Sequence, residues 1–588
     1  MHIIIKRIFF VLFITICTII TTGWTKLYPI EFRLPLLGFQ PSPGTPWPKP
    51  RSINTTERVF SIDPNRLSFT TNLNTENCSV LADALERYKK IILIDPRYQP
   101  EPHHSVIENV HVFISDNNPD CSYPSANSSE EYSIWLPHPE RVDQAAISAN
   151  SVWGALRALE TLTQIIYTND DQQLLVNETQ IHDFPRYNYR GILLDSARHF
   201  LPKKVILANL DAMAMNKFNV FHWHIVDDQS FPFQSKKYPN ISEQGAYSKR
   251  HVYSADDIHE VIEYARMRGI RVIPELDTPG HTHAMARAFP DLLTPCYGDN
   301  VHPHVPRYPF FSESEVLNPM LNFTFKFMHD MFEEFRQTFK DEYIHLGMDE
   351  VSYDCWRSNP EIIRFMRSNG MTDFHHLEQF YIERTLRSVR DVGYKYLMYQ
   401  DPVDNGVNLS DDSVVIVWKD KYLDSSMDFW QNYIRNVAKR GYKMILSACW
   451  YLNYISYPYP GNDWEKYYMC DPRNFSGSDE ERDLVIGGEA CMWGEFVDGT
   501  NLLSRLWPRA SAVAERLWSD PEQTQDIDTA RLRLDQHRCR MLRRGIPASP
   551  ILNGYCGDYE WEMDPIIAPN NGQNGLNGII PSLMRLFS

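Results

Sequence analysis

The sequence of 588 residues has no excess of positive charge, and this limits the partners that the protein can bind. Its formal net charge is −17, which argues against binding to nucleic acid or to anionic membrane surfaces. It also lacks a glycine-rich phosphate loop and cysteines at metal-ligand spacing, so we predict no cofactor and no metal. The hydrophobic fraction of 43% is that of a globular protein, and the length is sufficient for two domains with a large core.

Long hydrophobic runs are also missing, except for one at the N-terminus. There, a basic start that ends in Lys6 and Arg7 precedes an apolar run from Ile8 to Ile20 and then small residues. The run is short for a membrane span of about 20 residues, so residues 1–24 are predicted to be a secretory signal peptide, with a membrane anchor as the alternative. We therefore expect a lysosomal or secreted protein that contacts a membrane only if this segment is retained as an anchor.

Entry into the secretory pathway changes how the cysteines are interpreted. Cys17 lies in the predicted signal, and the nine others are an odd number, so at least one is unpaired or bridges to another chain. Triplets of the form Asn-x-Ser/Thr are candidate surface sites for glycosylation. These triplets begin at Asn54, Asn77, Asn127, Asn177, Asn240, Asn322, Asn408 and Asn474.

The rest of the chain divides into four segments by composition and periodicity. In the second of them, Ile91–Ile94 and Val110–Ile114 are predicted strands, and the apolar spacing across residues 150–160 predicts a helix. The predicted bounds are 25–50 for a proline-rich lead-in, 51–183 for a small α/β domain, 184–560 for the main domain and 561–588 for a C-terminal tail.

Apolar strand-like runs recur in the main domain, and each is followed by polar or aromatic residues and then by a helical stretch. The helical stretches include residues 202–215 and 255–268. Eight such units predict an α/β fold, a (β/α)₈ TIM barrel, whose active site lies where the strands end. The predicted strands are Gly191–Leu194, Val220–Val226, Ile270–Leu276, Tyr343–Leu346, Tyr394–Met398, Val414–Trp418, Tyr442–Leu446 and Val485–Ala490.

Two adjacent carboxylates, Asp349 and Glu350, directly follow the fourth predicted strand. In a poorly solvated pocket two such neighbours do not both ionise freely, so the pKa of one is raised and it becomes a proton donor. A solvated surface pair is the alternative. Carboxylates, an arginine and aromatic residues end the other strands, and this mixture suits a sugar, because aromatic rings stack on a pyranose and charged groups bind its hydroxyls.

Several residues near these strand ends have simpler interpretations. His222 and His224 share a face and could bind zinc, but hydrogen-bonded packing inside the barrel is the favoured interpretation. Each tryptophan, taken singly, could belong to the core. Cys491 is expected to be a buried apolar residue rather than a nucleophile. Asp277 and His281 are expected to support the site as a pair.

Five runs carry a family resemblance: Arg190–His199, Phe221–Phe231, Glu275–His281, Gly347–Val351 and Gly487–Glu495. With them, residues 181–556 resemble the catalytic barrel of the lysosomal-type β-N-acetylhexosaminidases, which release terminal N-acetylglucosamine or N-acetylgalactosamine. Residues 51–180 resemble the N-terminal domain of that family more weakly. The resemblance implies exo-acting, retaining hydrolysis in which the substrate's own 2-acetamido oxygen attacks the anomeric carbon, so that no enzyme nucleophile is needed.

The resemblance also implies a role for each matching residue. Glu350 would be the general acid and then the base, Asp349 would hold the acetamido N–H, and Tyr451 would donate a hydrogen bond to the acetamido oxygen. The implied substrate-binding residues are Trp418 and Trp493 around the methyl group, Arg198 and Glu495 on the ring hydroxyls, Asp227 behind Arg198, and His281, Tyr399 and Asn453.

Three positions depart from the pattern of this family. Met348 replaces a glycine. A side chain next to the acid is expected to change the rate of catalysis rather than which residue acts as the acid. Tyr399 replaces a third pocket tryptophan, so the pocket is expected to be wetter or differently shaped. Asn453 matches subunits that tolerate anionic sugars, but Tyr454 replaces the arginine that those subunits use. Neutral substrates are therefore expected to be preferred.

The resemblance implies a homodimer that acts on glycans ending in N-acetylhexosamine. Two other functions stay open: processing of chitooligosaccharides, and carbohydrate binding by a homologue with weakened catalysis. The implied disulfides are Cys78–Cys121, Cys296–Cys355 and Cys539–Cys556, with Cys449 and Cys470 as candidates to pair with each other.

Overall fold

The computed structural model describes residues 45–95, 98–100, 104–116, 119–169, 171–305, 316–421, 428–454 and 463–556. The predicted signal peptide, most of the predicted lead-in and the predicted tail lie outside these residues. Among the helices of this described part, none has both the length and the apolar composition needed to cross a bilayer.

The N-terminal part is an eight-stranded mixed sheet with two helices. The strands are β1 (Ser52–Ile62), β2 (Ser68–Thr71), β3 (Ser105–Ile107), β4 (Asn109–Ile114), β5 (Tyr132–Leu136), β6 (Gln144–Ala149), β7 (Tyr167–Thr168) and β8 (Leu174–Asp183). Their order in the sheet is β2-β4-β6-β5-β8-β1-β3, with β7 paired to β8. Helices α1 (Ser79–Ile92) and α2 (Val152–Ile165) pack with the sheet around one apolar core.

The prediction of a strand at Ile91–Ile94 is wrong, because Ile91 and Ile92 form the last turn of α1. The buried residues of α1 include Val80, Ala84 and Tyr88, which recur every four residues and so line one helical face. A short apolar run at the end of such a face cannot be distinguished from a strand by its own pattern.

The main domain is a closed barrel of eight parallel strands, which confirms the predicted TIM barrel. All eight predicted strands are present, with ends that differ by a few residues. They are β9 (Tyr189–Asp195), β10 (Val220–His224), β11 (Arg271–Thr278), β12 (Tyr343–Gly347), β13 (Lys395–Tyr399), β14 (Val414–Val417), β15 (Lys443–Leu446) and β16 (Val485–Met492).

Helices follow the strands, and the longer ones pack against the outside of the barrel around its main apolar core. They are α3 (Lys203–Met215), α4 (Pro239–Gly245), α5 (Ala255–Arg266), α6 (His283–Ala286), α7 (Asn322–Thr338), α8 (Tyr353–Ser358), α9 (Pro360–Ser368), α10 (Phe374–Asp391), α11 (Asp401–Asp404), α12 (Trp430–Lys439), α13 (Trp464–Met469), α14 (Asp479–Asp483), α15 (Leu502–Leu506), α16 (Arg509–Trp518) and α17 (Ile527–Arg543). The predicted helices at 202–215 and 255–268 correspond to α3 and α5.

Barrel strands are buried on both faces, which explains why they read as continuous apolar runs. In β9, Leu193 packs inside the barrel, whereas Ile192 and Leu194 pack outward against the helices. The barrel interior also holds charged residues near the strand ends, and these form the floor of the site described below.

A buried group of charged residues joins the two domains, and we call it the ionic seam: Glu130, Arg157, Asp183, Arg190 and Lys217. Glu130 lies 2.7 Å from both Arg157 and Arg190, and Lys217 lies 2.9 Å from Asp183. Burial opposes ionisation of Glu130, but Arg190 and Arg157 outweigh it, so the pKa of Glu130 is below its ordinary value.

Disulfide bonds join the three pairs that the family resemblance implies, and a fourth joins the remaining candidates. Cys491 is unpaired and buried. Burial, together with the nearby Glu489, raises the pKa of its thiol, so Cys491 is a poor nucleophile.

Candidate active site

The two adjacent carboxylates follow a tight turn at the end of β12. Gly347 and Met348 have φ angles of +65° and +67°, and Glu350 has +51°. A side chain at Gly347 would lie within 1.7 Å of Asp277, so glycine is required there for space as well as for conformation. Met348 is fully buried and packs in the core between the barrel and the helices.

Asp349 points inward and is 8% exposed. Its Oδ1 has no hydrogen-bond partner among the described residues, and its Oδ2 lies 3.8 Å from Nε2 of His281. Burial raises the pKa of Asp349 to about 7, and the carboxylates of Asp401 and Glu350 add to this while His281 opposes it. Asp349 is therefore a buried acceptor at which one oxygen is available to a ligand.

Glu350 points outward, with 57% of its side chain exposed and Oε2 at 3.3 Å from Nε2 of His281. The hydrogen bond from His281 lowers the pKa of Glu350. The raised pKa that the sequence predicts for one of the two carboxylates therefore belongs to Asp349 and not to Glu350. The physical reason is that Asp349 is buried among other carboxylates, whereas Glu350 faces solvent beside an imidazolium.

His281 connects Glu350 to a buried charge behind it. Its Nδ1 lies 3.4 Å from Oδ1 of Asp227, and burial is outweighed by Asp227, Asp277 and Asp349, so the pKa of His281 is well above its ordinary value. Asp227 also pairs with Arg198 at 2.8 Å. These pairs fix the orientation of the imidazole and of the guanidinium without help from substrate.

Four aromatic side chains form a cup beside Asp349: Tyr399, Trp418, Tyr451 and Trp493. Each is at most 8% exposed. The ring of Tyr451 is stacked on that of Trp418 at 6.4 Å and lies 6.4 Å from that of Trp493. Tyr399 lies 6.4 Å from both tryptophans. Burial keeps the pKa of Tyr451 well above its ordinary value, so its hydroxyl remains a donor.

Histidines and glutamates fill the barrel under this cup. Glu275 lies 2.9 Å from His222, 2.7 Å from His224 and 3.2 Å from His345, and Glu489 lies 2.9 Å from His222. Burial lowers the pKa of His222, but the effect of these glutamates is larger and raises it to about 9. This is the hydrogen-bonded packing that was favoured over zinc binding.

Groups of ligand-type atoms within 4.8 Å of one another occur three times in the described part of the chain. They are His222 with Glu275 and His345, Asp227 with Asp228 and His281, and Asp277 with His281 and Asp349. The first two groups contain ion pairs described above, and the absence of a metal stays a prediction. In the third, Asp277 is buried, and burial together with Asp349 raises its pKa well above the ordinary value.

Two other residues of the predicted site lie at the rim. Glu495 keeps contact with solvent beside Arg198, but the surrounding protein removes part of its hydration and so raises its pKa against the opposing effect of that arginine. Asn453 is half-buried, with Oδ1 unpartnered among the described residues. Tyr454 is 43% exposed and stacks on Tyr451 at 6.1 Å. All the predicted catalytic and substrate-binding residues thus lie in or around one pocket mouth.

The sequence analysis assigns no role to Asp401, which contacts both the acid and the cup. Its Oδ1 accepts a hydrogen bond from the backbone N–H of Glu350 at 3.2 Å, and its Oδ2 accepts one from Nε1 of Trp418 at 2.8 Å. The signal was present, because Asp401 directly follows the end of β13, on the face where barrel enzymes place functional residues.

Comparison with known proteins identifies relatives over most of the chain. A family model described as "Glycosyl hydrolase family 20, catalytic domain" matches residues 187–521, and one described as "beta-acetyl hexosaminidase like" matches residues 46–165. The chain is 46% identical over 525 residues to beta-hexosaminidase subunit beta of Felis catus, across 88% of this chain and 94% of that one. It is 44% identical over 531 residues to beta-hexosaminidase subunit alpha of Bos taurus, across 88% and 96% of the two chains.

A solved structure of the chitobiase of Flavobacterium johnsoniae has the same fold, with a TM-score of 0.73 and 28% identity across 85% of this chain and 73% of that one. Together with the barrel and its paired carboxylates, these matches show that the chain belongs to glycosyl hydrolase family 20 and is a glycoside hydrolase of the lysosomal β-hexosaminidase type.

Proposed function

We propose that this β-hexosaminidase removes terminal β-linked N-acetylglucosamine or N-acetylgalactosamine from glycoconjugates, with retention of configuration and with the substrate's acetamido group as nucleophile. One observation carries the proposal: Oδ1 of Asp349, which has no hydrogen-bond partner among the described residues, is buried beside an aromatic cup and next to the exposed Glu350. A buried acceptor without a partner is costly unless a ligand supplies the donor. An acetamido group fits both, because its N–H can donate to the acceptor and the methyl group on its carbonyl carbon can enter the aromatic cup.

In the first step, Glu350 donates its proton to the glycosidic oxygen while the acetamido oxygen attacks C1. The bond from C1 to the glycosidic oxygen breaks, the aglycone leaves as an alcohol, and an oxazolinium ion remains. Asp349 accepts a hydrogen bond from the acetamido N–H and balances the positive charge. The hydroxyl of Tyr451 donates to the acetamido oxygen and orients it.

In the second step, Glu350 accepts a proton from water as the water oxygen attacks C1 and opens the oxazolinium ring. Retention follows because C1 is inverted twice. The lowered pKa of Glu350 beside His281 suits this base role. For the acid role, a bound sugar that covers the carboxylate excludes solvent and raises its pKa.

Arg198 and Glu495 hold the hydroxyls of the terminal sugar. Arg198 is fixed by Asp227 and by Asp195, at 2.8 Å and 3.3 Å, so its remaining donors have a set direction. Tyr454 offers no charge to a sulfated or sialylated sugar, and we therefore expect neutral substrates to be preferred.

The test is a turnover screen with the purified full chain and aryl β-glycosides of N-acetylglucosamine, N-acetylgalactosamine, their 6-sulfates and glucose. We expect both neutral N-acetyl substrates to be cleaved, the 6-sulfates to be cleaved more slowly, and β to be the first anomer detected by NMR. An inverted first product, or equal turnover of the plain glucoside, would contradict the mechanism. Binding of a thiazoline mimic without any turnover would instead indicate a carbohydrate-binding homologue.

Glu350→Gln should fold and lose about 100- to 10,000-fold in turnover, as expected when a general acid is removed. Asp354→Asn is a matched control, because Asp354 is exposed on α8 and pairs only with Arg357 in the described part. The control should retain near-normal turnover. Near-normal turnover of Glu350→Gln itself would remove the acid assignment.

We also infer that the protein is a secreted or lysosomal glycoprotein that works as a dimer. The four disulfides support an oxidising compartment, and the curated relatives are described as subunits. Of the eight candidate acceptor asparagines, seven are exposed; Asn177 is 8% exposed and donates from Nδ2 to Thr56 at 2.8 Å, so we exclude it as a glycosylation site. Glycopeptide mass spectrometry should find carbohydrate only among the other seven, and light scattering should give twice the chain mass.

A further inference from the structure

We propose that Asp401 is a positioning residue that sets the location of the general acid Glu350. The same carboxylate also holds Trp418, which forms one wall of the aromatic cup. The inference rests on the proposed function, because it assigns Asp401 a role through Glu350. It adds a residue that no motif of the family resemblance assigned here.

The two carboxylate oxygens of Asp401 accept hydrogen bonds from two different donors. Oδ1 accepts the backbone N–H of Glu350 at 3.2 Å, and Oδ2 accepts Nε1 of Trp418 at 2.8 Å. Asp401 is 5% exposed and begins the short helix α11, so its own backbone is held by the barrel strand β13 that precedes it. One rigid carboxylate therefore ties the acid-bearing turn to the aromatic cup.

The turn needs this support because of its conformation. Glu350 has a φ of +51°, which side-chain-bearing residues adopt only when their surroundings hold them there. A hydrogen bond to the main chain of Glu350 acts at the strained residue itself. Without it, the turn is free to relax, and a displacement of about 1 Å is enough to disturb proton transfer.

The charge of Asp401 is matched by a lysine outside the pocket. Lys419 lies 2.9 Å from Oδ1 of Asp401 and 3.2 Å from Oδ2 of Asp404. The ammonium group of Lys419 compensates the charge of the Asp401 carboxylate, and a carboxylate offers two acceptor oxygens. Asparagine at this position has one acceptor oxygen, and its amide group would meet either the N–H of Glu350 or the Nε1–H of Trp418 with a donor facing a donor.

The test compares Asp401→Asn with Asp404→Asn in the full chain. Both changes remove one carboxylate from α11 and one partner from Lys419, but Asp404 contacts Gln400 and Lys419 and neither Glu350 nor Trp418. Each variant is assayed on aryl N-acetylglucosaminides whose leaving groups range from dinitrophenol, which departs without protonation, to methoxyphenol, which needs the acid.

We expect Asp401→Asn to lower kcat on the methoxyphenyl substrate by about 10- to 100-fold while kcat on the dinitrophenyl substrate falls by only a few-fold, a difference that reports the acid step. Asp404→Asn should leave this dependence on the leaving group unchanged. A purely structural role predicts an equal loss on every leaving group. That result, or identical behaviour of the two variants, overturns the inference.

Two controls separate the possible failures. If the unmodified protein hydrolyses none of these substrates, the proposed function itself is wrong. If the unmodified protein is active but the two variants behave alike, only the role of Asp401 is wrong. If Asp401→Asn does not fold, Asp401→Ser carries the same two outcomes, because serine has one oxygen on a shorter side chain in place of the two that contact Glu350 and Trp418.

Discussion

Two carboxylates that are adjacent in the chain have opposite environments in this protein. Asp349 is buried, with its pKa raised to about 7, and Glu350 is open to solvent, with its pKa lowered by His281. A ligand that brings an amide N–H and then a positive charge to Asp349 favours the ionised form of that residue. Ligand binding and the loss of a proton from Asp349 are therefore coupled.

Affinity for N-acetylglucosamine should consequently rise as the pH increases toward about 7 and level off above it. The sign follows because the free carboxyl loses its proton near pH 7, whereas the complexed one loses it at a lower pH, so binding below pH 7 must first displace a proton. Calorimetry in buffers of different ionisation enthalpy should detect proton release at pH 6. Asp349→Asn should abolish the release, and affinity that falls between pH 5 and 7 would contradict the coupling.

At the scale of elements, the turn after β12 combines a required glycine with two residues that have side chains and positive φ. Met348 is the residue that differs from the family pattern, and its side chain is fully buried. Its left-handed conformation costs roughly 1–2 kcal/mol. Loss of a buried methionine side chain costs about 2–5 kcal/mol. Packing therefore outweighs strain at this position.

Met348→Gly should for that reason destabilise the protein by roughly 1–3 kcal/mol, although it restores the residue usual in the family. Calorimetric unfolding at a fixed pH measures the effect as a lower unfolding temperature. A higher unfolding temperature would mean that strain dominates. The ratio of turnover on good and poor leaving groups should be unchanged, because the methionine side chain packs in the core whereas Glu350 faces solvent.

The elements of the barrel were predictable because strands buried on both faces appear as apolar runs, and the strand ends were predictable because polar residues follow at once. The last turn of α1 was not, because Ile91 and Ile92 look the same in a helix as in a strand. The distribution of charge between Asp349 and Glu350 also escaped prediction, since it depends on His281 and Asp401, which are distant in sequence. The contacts of Asp401 required the closed barrel to bring the ends of β12 and β13 together.

At the scale of the whole molecule, the ionic seam sets how the two domains depend on each other. Glu130 and Arg190, from opposite domains, are 6% and 1% exposed. Removing one partner of a buried pair leaves an uncompensated charge, at a cost of about 3–5 kcal/mol. In this seam one glutamate serves two arginines, so its loss has a larger effect than that of a surface pair.

Glu130→Gln should lower stability by about 3–5 kcal/mol at neutral pH, as measured by calorimetric unfolding. Glu131→Gln is the matched control. Glu131 is the next residue in the sequence, its side chain is 45% exposed, and its substitution should have little effect on stability. Because the pKa of Glu130 is lowered in the folded protein, its contribution is present above the unfolded pKa of about 4.3 and is lost as the pH falls through the folded value. The difference in the free energy of unfolding between Glu130→Gln and the unmodified protein should therefore become smaller in strong acid.

The seam also determines how short a working version of the enzyme can be. A fragment cut to residues 187–521, the span matched by the catalytic-domain model, would keep Arg190 and Lys217 but lose the carboxylates that neutralise them. It would also uncover Trp518, which belongs to α16 but packs in the core of the N-terminal sheet and donates to Asp183 at 3.0 Å. We therefore expect that the barrel folds stably only when the preceding sheet is part of the same chain. An expressed version should start at or before Thr45.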